Sequence, residues 1–363
     1  MTPETTGQRG TDARPAAALQ ELFRASGRRP TLAPCWRQGR LAAGMEEFLS
    51  KLLLALLAAA AVPGCSPERP IGPSGVWAVV LGVAQDGGHP HLGCHRPCCE
   101  SARRDSRLAH RVACLALVDR DAGKRFLIDA TPDMVDQIAL LERLSGERRG
   151  RPRNPVDGIL LTHAHIGHYT GLMYLGRESM AAQRLPVSGT ARMLEFLAGN
   201  GPWSLLISSR HIEPLVVPAD VEQWLTPALR FTAVPVPHRD EYSDTVAYVI
   251  RGPDKALLWL PDIDAWDRWD RRIESVLEEV DLAFVDGTFL DGSNLPGRPI
   301  GEVPHPFMAD TMKRLERAAV ARGKVRFIHL NHSNHALDPG SKAAREVAAR
   351  GFAVATEGAC WRL

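Results

Sequence analysis

Three histidines, His163, His165 and His168, lie within six residues of one another. The apolar run Gly158–Leu161 directly before them is typical of a buried strand. Side chains at positions i and i+2 of a strand end point the same way, so His163 and His165 could bind one metal ion while His168 turns toward a second position. Neutral imidazole is a common ligand for zinc and other first-row metals. A lone histidine is usually structural, but this density of histidines predicts a metal site.

Four further side chains with ligand atoms also follow apolar, strand-like runs. They are Asp129, His238, Asp262 and His332. Taken singly, each aspartate could instead cap a following helix, and His332 could be an ordinary surface residue. Their joint order, each at the end of a strand, favours a shared site.

The elements that must position these residues are strands in a run, followed by strands that alternate with helices. β-branched apolar runs predict strands at Trp77–Val83, Cys114–Val118, Phe126–Ile128, Gly158–Leu161, Phe231–Val236, Thr245–Ile250, Ala256–Leu260, Leu282–Val285, Val325–Leu330 and Phe352–Ala355. Helical periodicity predicts helices at Pro132–Leu144, Thr190–Leu197, Ala265–Glu279, Pro306–Arg322 and Ser341–Arg350. This order favours sheets covered by outer helices over a dinucleotide-binding fold.

The composition is that of an ordinary globular protein. Of 363 residues, 45% are hydrophobic and 24% are charged, which is enough to bury a sizeable core. The net charge of +2 gives no sign of a nucleic-acid partner, which would call for a strongly basic chain. No long linker interrupts the pattern after Val76, so residues 76–363 are predicted to form one domain.

The region ahead of this domain divides into two segments. Residues 1–44 are rich in Arg, Ala, Pro and Gly without periodicity, and are predicted to be disordered or an over-extended start before Met45. Residues 45–65 contain the apolar run Leu52–Val62 and end at Cys65, as in a bacterial lipoprotein signal peptide. The protein would then be exported and lipid-anchored at Cys65 on the periplasmic side. A buried helix or an uncleaved anchor is the alternative, and without a signal the protein would be cytoplasmic.

The ligand residues together resemble the metallo-β-lactamase superfamily, whose signature is H-x-H-x-D-H after a strand. The resemblance extends from about Val76 to the C-terminus. It implies an α/β fold, an αββα sandwich with metal ions at one edge of its two sheets, and Asp129 would support the metal loop. The implied ligands are His163, His165 and His238 for the first ion, His168 and His332 for the second ion, and Asp262 between the two.

One position departs from that signature. Gly167 stands where the family has an aspartate ligand to the second metal ion. Loss of this carboxylate should weaken the second site or leave an open coordination position, unless His335 or a displaced aspartate substitutes for it. The resemblance therefore predicts one firmly held zinc ion and a weaker second one, with iron or manganese as alternative metals.

Within the superfamily, the chain is most similar to the group of the PQQ-biosynthesis protein B and its phosphodiesterase-like relatives. The similar stretches are Leu81–Pro90, Asp129–Asp133, Gly201–Ser204, Phe284–Thr288 and Ile328–Asn334. The B proteins of PQQ synthesis lack the first histidines of the metal motif, whereas this chain retains them. That difference favours a working hydrolytic centre over the PQQ role itself.

A cysteine-rich loop follows the first predicted strand. Relatives carry a C-x-C-x-x-C loop that holds a structural zinc ion. Here Cys94 and Cys99 match that loop, Arg96 replaces the middle cysteine, and Cys98 could take its place. Thiolates at this density suit a closed tetrahedral zinc site with a histidine as fourth ligand. In an exported protein, a disulfide from Cys94 to Cys98 or Cys99 is the alternative.

The resemblance implies metal-assisted hydrolysis. A metal ion lowers the pKa of a bound water from about 15.7 to about 7, which provides hydroxide at neutral pH. Asp262 would orient this water. His305 resembles the leaving-group histidine of the phosphodiesterase branch and would act as general acid; a backbone contact at the start of a helix is its alternative role.

A phosphodiester or a related small-molecule ester is the first expectation for the substrate, and a lactone or β-lactam is the second. Two other classes stay open. One is an iron-dependent oxygenase related to the PQQ group, because histidine-rich sites with one carboxylate also suit iron(II). The other is a non-catalytic metal-binding lipoprotein. The expected partners are a small-molecule substrate, no nucleic acid, and a membrane only through the anchor at Cys65, with a homodimer as an open alternative.

Overall fold

The computed structural model describes residues 70–148, 150, 153–295, 297, 299, 302–318 and 323–363. The predictions for residues 1–44 and 45–65, including the lipid anchor at Cys65, lie outside the described residues. Among the residues that are described, no helix has both the length and the apolar character needed to span a bilayer.

Two seven-stranded sheets make up the centre of the described structure. The first sheet has the strand order β14-β1-β2-β3-β4-β5-β6, and the second has the order β13-β12-β11-β10-β9-β8-β7. The strands are β1 Val76–Gly82, β2 Cys114–Asp119, β3 Lys124–Ile128, β4 Gly158–Leu160, β5 Leu185–Gly189, β6 Ile212–Val216, β7 Gln223–Thr226, β8 Leu229–Val236, β9 Thr245–Arg251, β10 Ala256–Leu260, β11 Leu282–Asp286, β12 Val325–Ile328, β13 Ala353–Val354 and β14 Cys360–Arg362.

Helices cover the outer faces of the two sheets. They are α1 Pro97–Arg104, α2 Met134–Ser145, α3 Ile166–Tyr169, α4 Ala191–Gly199, α5 Trp203–Ser208, α6 Ile273–Glu278, α7 Met308–Leu315 and α8 Lys342–Ala349. Successive strand residues point to opposite faces. In β1, Ala78 and Val80 therefore pack into the core shared with the second sheet, whereas Val79 and Leu81 pack into the core beneath α2, α4 and α5. The predicted αββα sandwich is confirmed.

Most of the predicted strands are present, with ends shifted by one or two residues. The short or polar strands β5, β6, β7 and β14 were not predicted, because their residues lack the long apolar, β-branched run that identifies a buried strand. Strand β12 ends at Ile328, two residues before the predicted end at Leu330. This earlier end matters for the metal ligands described below.

The prediction of a helix at Ala265–Glu279 was wrong for the first half of that range. The chain forms a short 3-10 helix at Trp266–Arg268, becomes extended at Trp269, and only then enters α6. Both indoles are buried and hydrogen-bonded: Trp266 donates to the hydroxyl of Thr311, and Trp269 donates to the carbonyl of Pro235, each at 2.8 Å. Burial of both rings against the second sheet outweighs the local helical preference. The helix predicted at Pro306–Arg322 is also shorter, since α7 runs only from Met308 to Leu315.

The carboxyl ends of several strands meet at one edge of the sandwich. Strands β3 and β4 are parallel in the first sheet, and β10, β11 and β12 are parallel in the second. Backbone hydrogen bonds join the two sheets at this edge: Val246 donates to the carbonyl of Thr162 at 3.1 Å, and Leu330 donates to the carbonyl of Val83 at 2.9 Å. Residues that follow these strands are therefore brought to the same place.

The hydroxyl of Tyr248 makes a further link between the sheets, because it donates to the carbonyl of Leu161 at 2.7 Å and is completely buried. Tyr248→Phe leaves that buried carbonyl without its hydroxyl donor, and should lower the free energy of unfolding by about 1–3 kcal/mol. Urea unfolding in the presence of a chelator would measure the change. The matched control is Tyr242→Phe, whose ring is 63% exposed and whose loss of a hydroxyl should change stability by less than about 0.5 kcal/mol. Equal effects of the two substitutions would contradict the proposed role of this link.

Candidate metal centre

His163, His165 and His238 converge at this edge, each supplied by a segment that follows a strand. Nδ1 of His165 lies 2.9 Å from Nε2 of His163 and 3.2 Å from Nε2 of His238. The nitrogen ligands of a tetrahedral zinc ion lie about 3.3 Å apart, given zinc–nitrogen bonds of about 2.0–2.1 Å. The three rings therefore have the spacing of one ion's ligands.

For His238 and His165, a hydrogen bond on the outer side of the ring determines which ring nitrogen faces the other histidines of the cluster. His238 donates from Nδ1 to the carboxylate of Asp264 at 3.1 Å, and His165 donates from Nε2 to that of Glu241 at 2.9 Å. The inward-facing nitrogens are then unprotonated lone pairs that point at one another. Such an arrangement is repulsive without a cation, and carboxylate partners of this kind are usual behind metal-bound histidines.

Thr162 and Asp129 orient the other two histidines of the motif. The Thr162 hydroxyl donates to Asp129 at 2.9 Å and accepts from Nδ1 of His163 at 3.0 Å. Nδ1 of His168 donates to the second oxygen of Asp129 at 2.8 Å. Both Nε2 atoms are thereby left to face the centre. Asp129 is fully buried with a φ of 70°, and it supports the metal loop as the family resemblance implied, rather than capping a helix.

A second cluster lies beside the first. Its members are His168, His329 and Asp86, whose ligand atoms all lie within 4.8 Å of one another. Asp262 stands between the clusters: its carboxylate is 3.2 Å from Nε2 of His168 and 3.6 Å from Nε2 of His238. Asp262 therefore lies between the two clusters, at the position where the resemblance implied a bridging carboxylate.

Two buried atoms in this region fit a metal ion. Among the described residues, Nε2 of His168 and Oδ2 of Asp262 have no hydrogen-bond partner, although they lie 3.2 Å apart. Burial by itself would raise the pKa of Asp262, but the imidazoles of His329 and His168 hold it well below its usual range. Burial lowers the pKa of His163 well below its usual value, so this ring is neutral. The buried carboxylate of Asp262, the neutral ring of His163 and the unpartnered Nε2 of His168 together form a ligand set for a cation.

The assignment of His332 to the second metal ion was wrong. Its Nδ1 lies 3.4 Å from the sulfur of Cys99 and its ring stacks on His91, away from His168. His329 takes the place beside His168 instead. The prediction failed because the strand was expected to run to Leu330, which would have made His329 part of the sheet. Since β12 ends at Ile328, His329 is the residue that follows the strand, as in the other ligand segments. His329 has a φ of 63°, an uncommon backbone conformation for a non-glycine residue.

The cysteine loop forms a third cluster, made of Cys94, Cys98, Cys99 and His332. The sulfurs of Cys98 and Cys99 are 3.9 Å apart, far beyond the 2.05 Å or so of a disulfide, and none of the three cysteines is disulfide-bonded. In a tetrahedral zinc site, thiolate sulfurs lie about 3.8 Å apart. Burial and the neighbouring His91 lower the pKa of His332 to about 4, so its ring is neutral and can bind metal. Three cysteines and a histidine thus fit the structural zinc site that the resemblance implied.

His305 lies next to the first cluster, with its ligand atom within 4.8 Å of those of His238 and Asp262. Its Nδ1 donates to the buried carboxylate of Asp286 at 2.7 Å, so its Nε2 is the nitrogen left to face the centre. Burial opposes the charged ring, yet Asp286 and Asp262 together raise the pKa of His305. The described hydrogen bonds of His305 run to side chains, which argues against the alternative of a backbone contact before a helix.

Two residues of the centre were not assigned from the sequence. Asp86 lies in the loop after β1, in a Gln-Asp-Gly-Gly segment that reads as a turn, and His329 was passed over for His332. His335, considered as a substitute ligand, is exposed at the start of the 3-10 helix His335–Leu337. A sequence signal did exist for His329, because it directly follows an apolar run. Asp86 lies within Leu81–Pro90, a stretch that resembles relatives, but nothing in its local pattern marks it as a metal ligand.

Comparison with known proteins agrees with this geometry. A family model described as the beta-lactamase superfamily domain matches residues 124–330, which is more than half of the chain. The chain belongs to the beta-lactamase superfamily. The predicted family and fold are thus confirmed.

The curated relatives of this superfamily member include proteins of PQQ synthesis. The coenzyme PQQ synthesis protein B of Methylobacterium sp. (strain 4-46) is 29% identical over 304 residues, which cover 77% of this chain and 98% of the relative. The protein of the same name from Cupriavidus necator is 27% identical over 304 residues, which cover 77% and 97%.

Solved structures show the same fold. Zn(2+)-bound PqqB from Methylobacterium extorquens superposes with a TM-score of 0.68 at 23% identity, covering 79% of this chain and all of that one. A diphosphatase from the PhnP family superposes with a TM-score of 0.56 at 20% identity, covering 79% of this chain and 97% of that one. At these identities the likeness shows the superfamily fold.

Zinc binding by the cysteine cluster can be tested without an activity assay. Cys99→Ala removes one of four ligands from a closed site, so the purified full-length protein should lose about one bound zinc ion per chain. Elemental analysis after gel filtration measures this loss. Cys360→Ala, which alters a cysteine of β14 that is not a member of the cluster, should retain the full metal content. Unchanged zinc in Cys99→Ala would show that the cluster is not a metal site.

Proposed function

We propose that this protein is a metal-dependent hydrolase that acts on a phosphodiester or a related small-molecule ester. The observation that carries the proposal is the convergence of two histidine sets beside the buried carboxylate of Asp262, where Nε2 of His168 and Oδ2 of Asp262 have no hydrogen-bond partner among the described residues. Superfamily membership and solved neighbours that are hydrolases by name support a metal-dependent hydrolase in general.

Zinc is the metal that we propose for the centre. His163, His165 and His238 would hold one ion, His168 and His329 would belong to a second, and Asp262 would lie between them. When bound, such ions make water acidic enough to act as a nucleophile and stabilise negative charge on a phosphoryl oxygen. The zinc in the solved PqqB structure supports this choice.

His305 is the residue that we propose as general acid. Asp286 accepts from its Nδ1, so the ring is held in one orientation with Nε2 toward the centre, close to His238 and Asp262. Asp286 itself is fully buried and also accepts from the backbone of Ile263 and Thr288. It is therefore a rigid positioning residue for a ring that delivers a proton to a leaving oxygen.

A phosphate-containing substrate is favoured by the charge beside the first cluster. The guanidinium of Arg239 lies 3.2 Å from Nε2 of His165 and is about half exposed, so it can meet an anionic group at the mouth of the site. A guanidinium suits phosphate oxygens because it presents several donors in one plane. The name of the PhnP-family diphosphatase, a structural neighbour, is consistent with this class of substrate.

The PQQ-related proteins among the curated relatives favour a second candidate function. A role like that of the PQQ synthesis protein B, as an iron-dependent oxygenase, would use the same histidines and carboxylates, because this ligand set also suits iron(II). Metal content separates the two functions, since an oxygenase would be isolated with iron and would show no hydrolysis with zinc. Lipid anchoring at Cys65 and export stay proposals from the sequence.

The decisive assay is zinc-dependent hydrolysis of bis(p-nitrophenyl) phosphate by the full-length protein, with a lactone and a β-lactam as comparison substrates. Chelation should abolish phosphodiester hydrolysis, and zinc should restore it. His163→Ala should abolish hydrolysis and release one ion. His305→Ala should lower kcat by about 10²- to 10⁴-fold while the metal content stays unchanged.

The matched control is His335→Ala, which removes an exposed histidine outside the centre and should leave kcat unchanged. Hydrolysis that survives both chelation and His163→Ala would contradict the proposal. A filled metal centre without turnover of any ester would favour the oxygenase or a non-catalytic metal-binding role.

A further inference from the structure

The space that a side chain would need at position 167 is already filled. A Cβ atom built on Gly167 would lie 2.2 Å from Oδ1, 2.8 Å from Cγ and 2.6 Å from Cα of Asp86. These distances are far inside van der Waals contact. Gly167 lies in α3 and its φ is not in the left-handed region, so the glycine is required by this close approach and not by backbone conformation.

The carboxylate that occupies this space contacts the second cluster. Oδ1 of Asp86 is 3.2 Å from Nε2 of His168 and 3.4 Å from Nε2 of His329. Asp262 approaches the same nitrogen of His168 at 3.2 Å. Nε2 of His168 is completely buried and, within the described part of the chain, makes no hydrogen bond to either carboxylate. Both carboxylates therefore approach the same nitrogen of His168, and Asp86 also approaches His329.

The junction between the two sheets holds Asp86 in this position. The residue before it, Gln85, donates from its backbone to the carbonyl of Leu330 at 2.8 Å and accepts from the amide of Asn331 at 2.5 Å. The loop after β1 is thus tied to the segment that carries His329. The carboxylate enters from the end of β1, whereas a residue at position 167 would enter from the helix after β4.

We propose that Asp86 is the carboxylate ligand of the second metal ion and replaces the aspartate that is missing at position 167. The inference rests on the metal centre proposed above and assigns its last ligand. The second site then has Asp86, His168, His329 and Asp262 as ligands. The glycine at position 167 therefore no longer predicts weaker binding of the second ion. Asp86 and Gly167 form a complementary pair, in which the carboxylate of one fills the space left by the other.

Metal counting on the full-length protein tests this assignment without any activity assay. The chain would be dialysed against buffered zinc over a range of free concentrations, and bound ions would be counted by elemental analysis. Asp86→Ala should lower the affinity for the second ion by about 100-fold or more. The ion on His163, His165 and His238 and the ion of the cysteine cluster should stay bound. Asp86→Asn keeps the shape of the side chain but removes its charge, and should lower the affinity for the second ion by a smaller factor.

Two further variants test the pairing of positions 86 and 167. Gly167→Asp alone should also lose the second ion, because the new side chain collides with Asp86. The double variant Asp86→Gly with Gly167→Asp moves the carboxylate to the other position and should regain the ion. The matched control is Asp254→Ala, an exposed aspartate in the β9–β10 turn, which should bind metal as the unmodified chain does.

The outcomes separate this assignment from the proposed function. If the unmodified chain binds no ion beyond that of the cysteine cluster, the proposed metal centre fails and the Asp86 assignment fails with it. If Asp86→Ala binds the second ion as tightly as the unmodified chain, only the Asp86 assignment is overturned. Retention of the other ions by Asp86→Ala shows that this variant is folded. A double variant that does not regain the ion lost by Asp86→Ala would overturn the replacement of position 167.

Discussion

The buried carboxylate of Asp262 is the feature on which the rest of the site depends. It is 3% exposed, and the nitrogens of His168 and His329 approach it at 3.2 and 3.5 Å. An ionised carboxylate removed from water costs several kcal/mol unless positive charge compensates it. Asp262 follows β10, which lies in the middle of the second sheet between β9 and β11. The arrangement of the histidines around it is compatible with a cation shared between them and the carboxylate.

The junction between β1 and β12 couples the second cluster to the cysteine cluster. The segment after β12 carries His329 toward His168 and His332 toward the cysteines, with Asn331 bound to Gln85 between them. The same loop after β1 supplies Asp86 and leads into the cysteine cluster. A structural ion on the cysteines would therefore restrain the segment that places His329. Rigid support of this kind keeps metal ligands within the narrow range of positions that an ion requires.

Local sequence patterns were sufficient for part of the site. The spacing of His163 and His165 indicates a shared ion because a strand end has a period of two, and Asp262 and His238 were recognisable because each follows an apolar run. The αββα arrangement could be inferred from the order of strands and helices, with the superfamily resemblance. The interruption of the predicted helix at Trp269 could not be inferred from the sequence. There, burial of two indoles against residues that are distant in the sequence overrides the helical pattern.

The sequence by itself determined which residue types are available for metal binding, which of them follow strands, and that position 167 lacks a carboxylate. Only the tertiary structure decided how they are shared among clusters. His329 and His332 are three residues apart and chemically identical, and they separate because β12 ends at Ile328 and the chain turns at His329. Asp86 and Gly167 lie far apart in the chain and carry no local signal of one another. They meet because the first strand of one sheet is hydrogen-bonded at its end to the other sheet, which is a property of the packed fold and of no single segment.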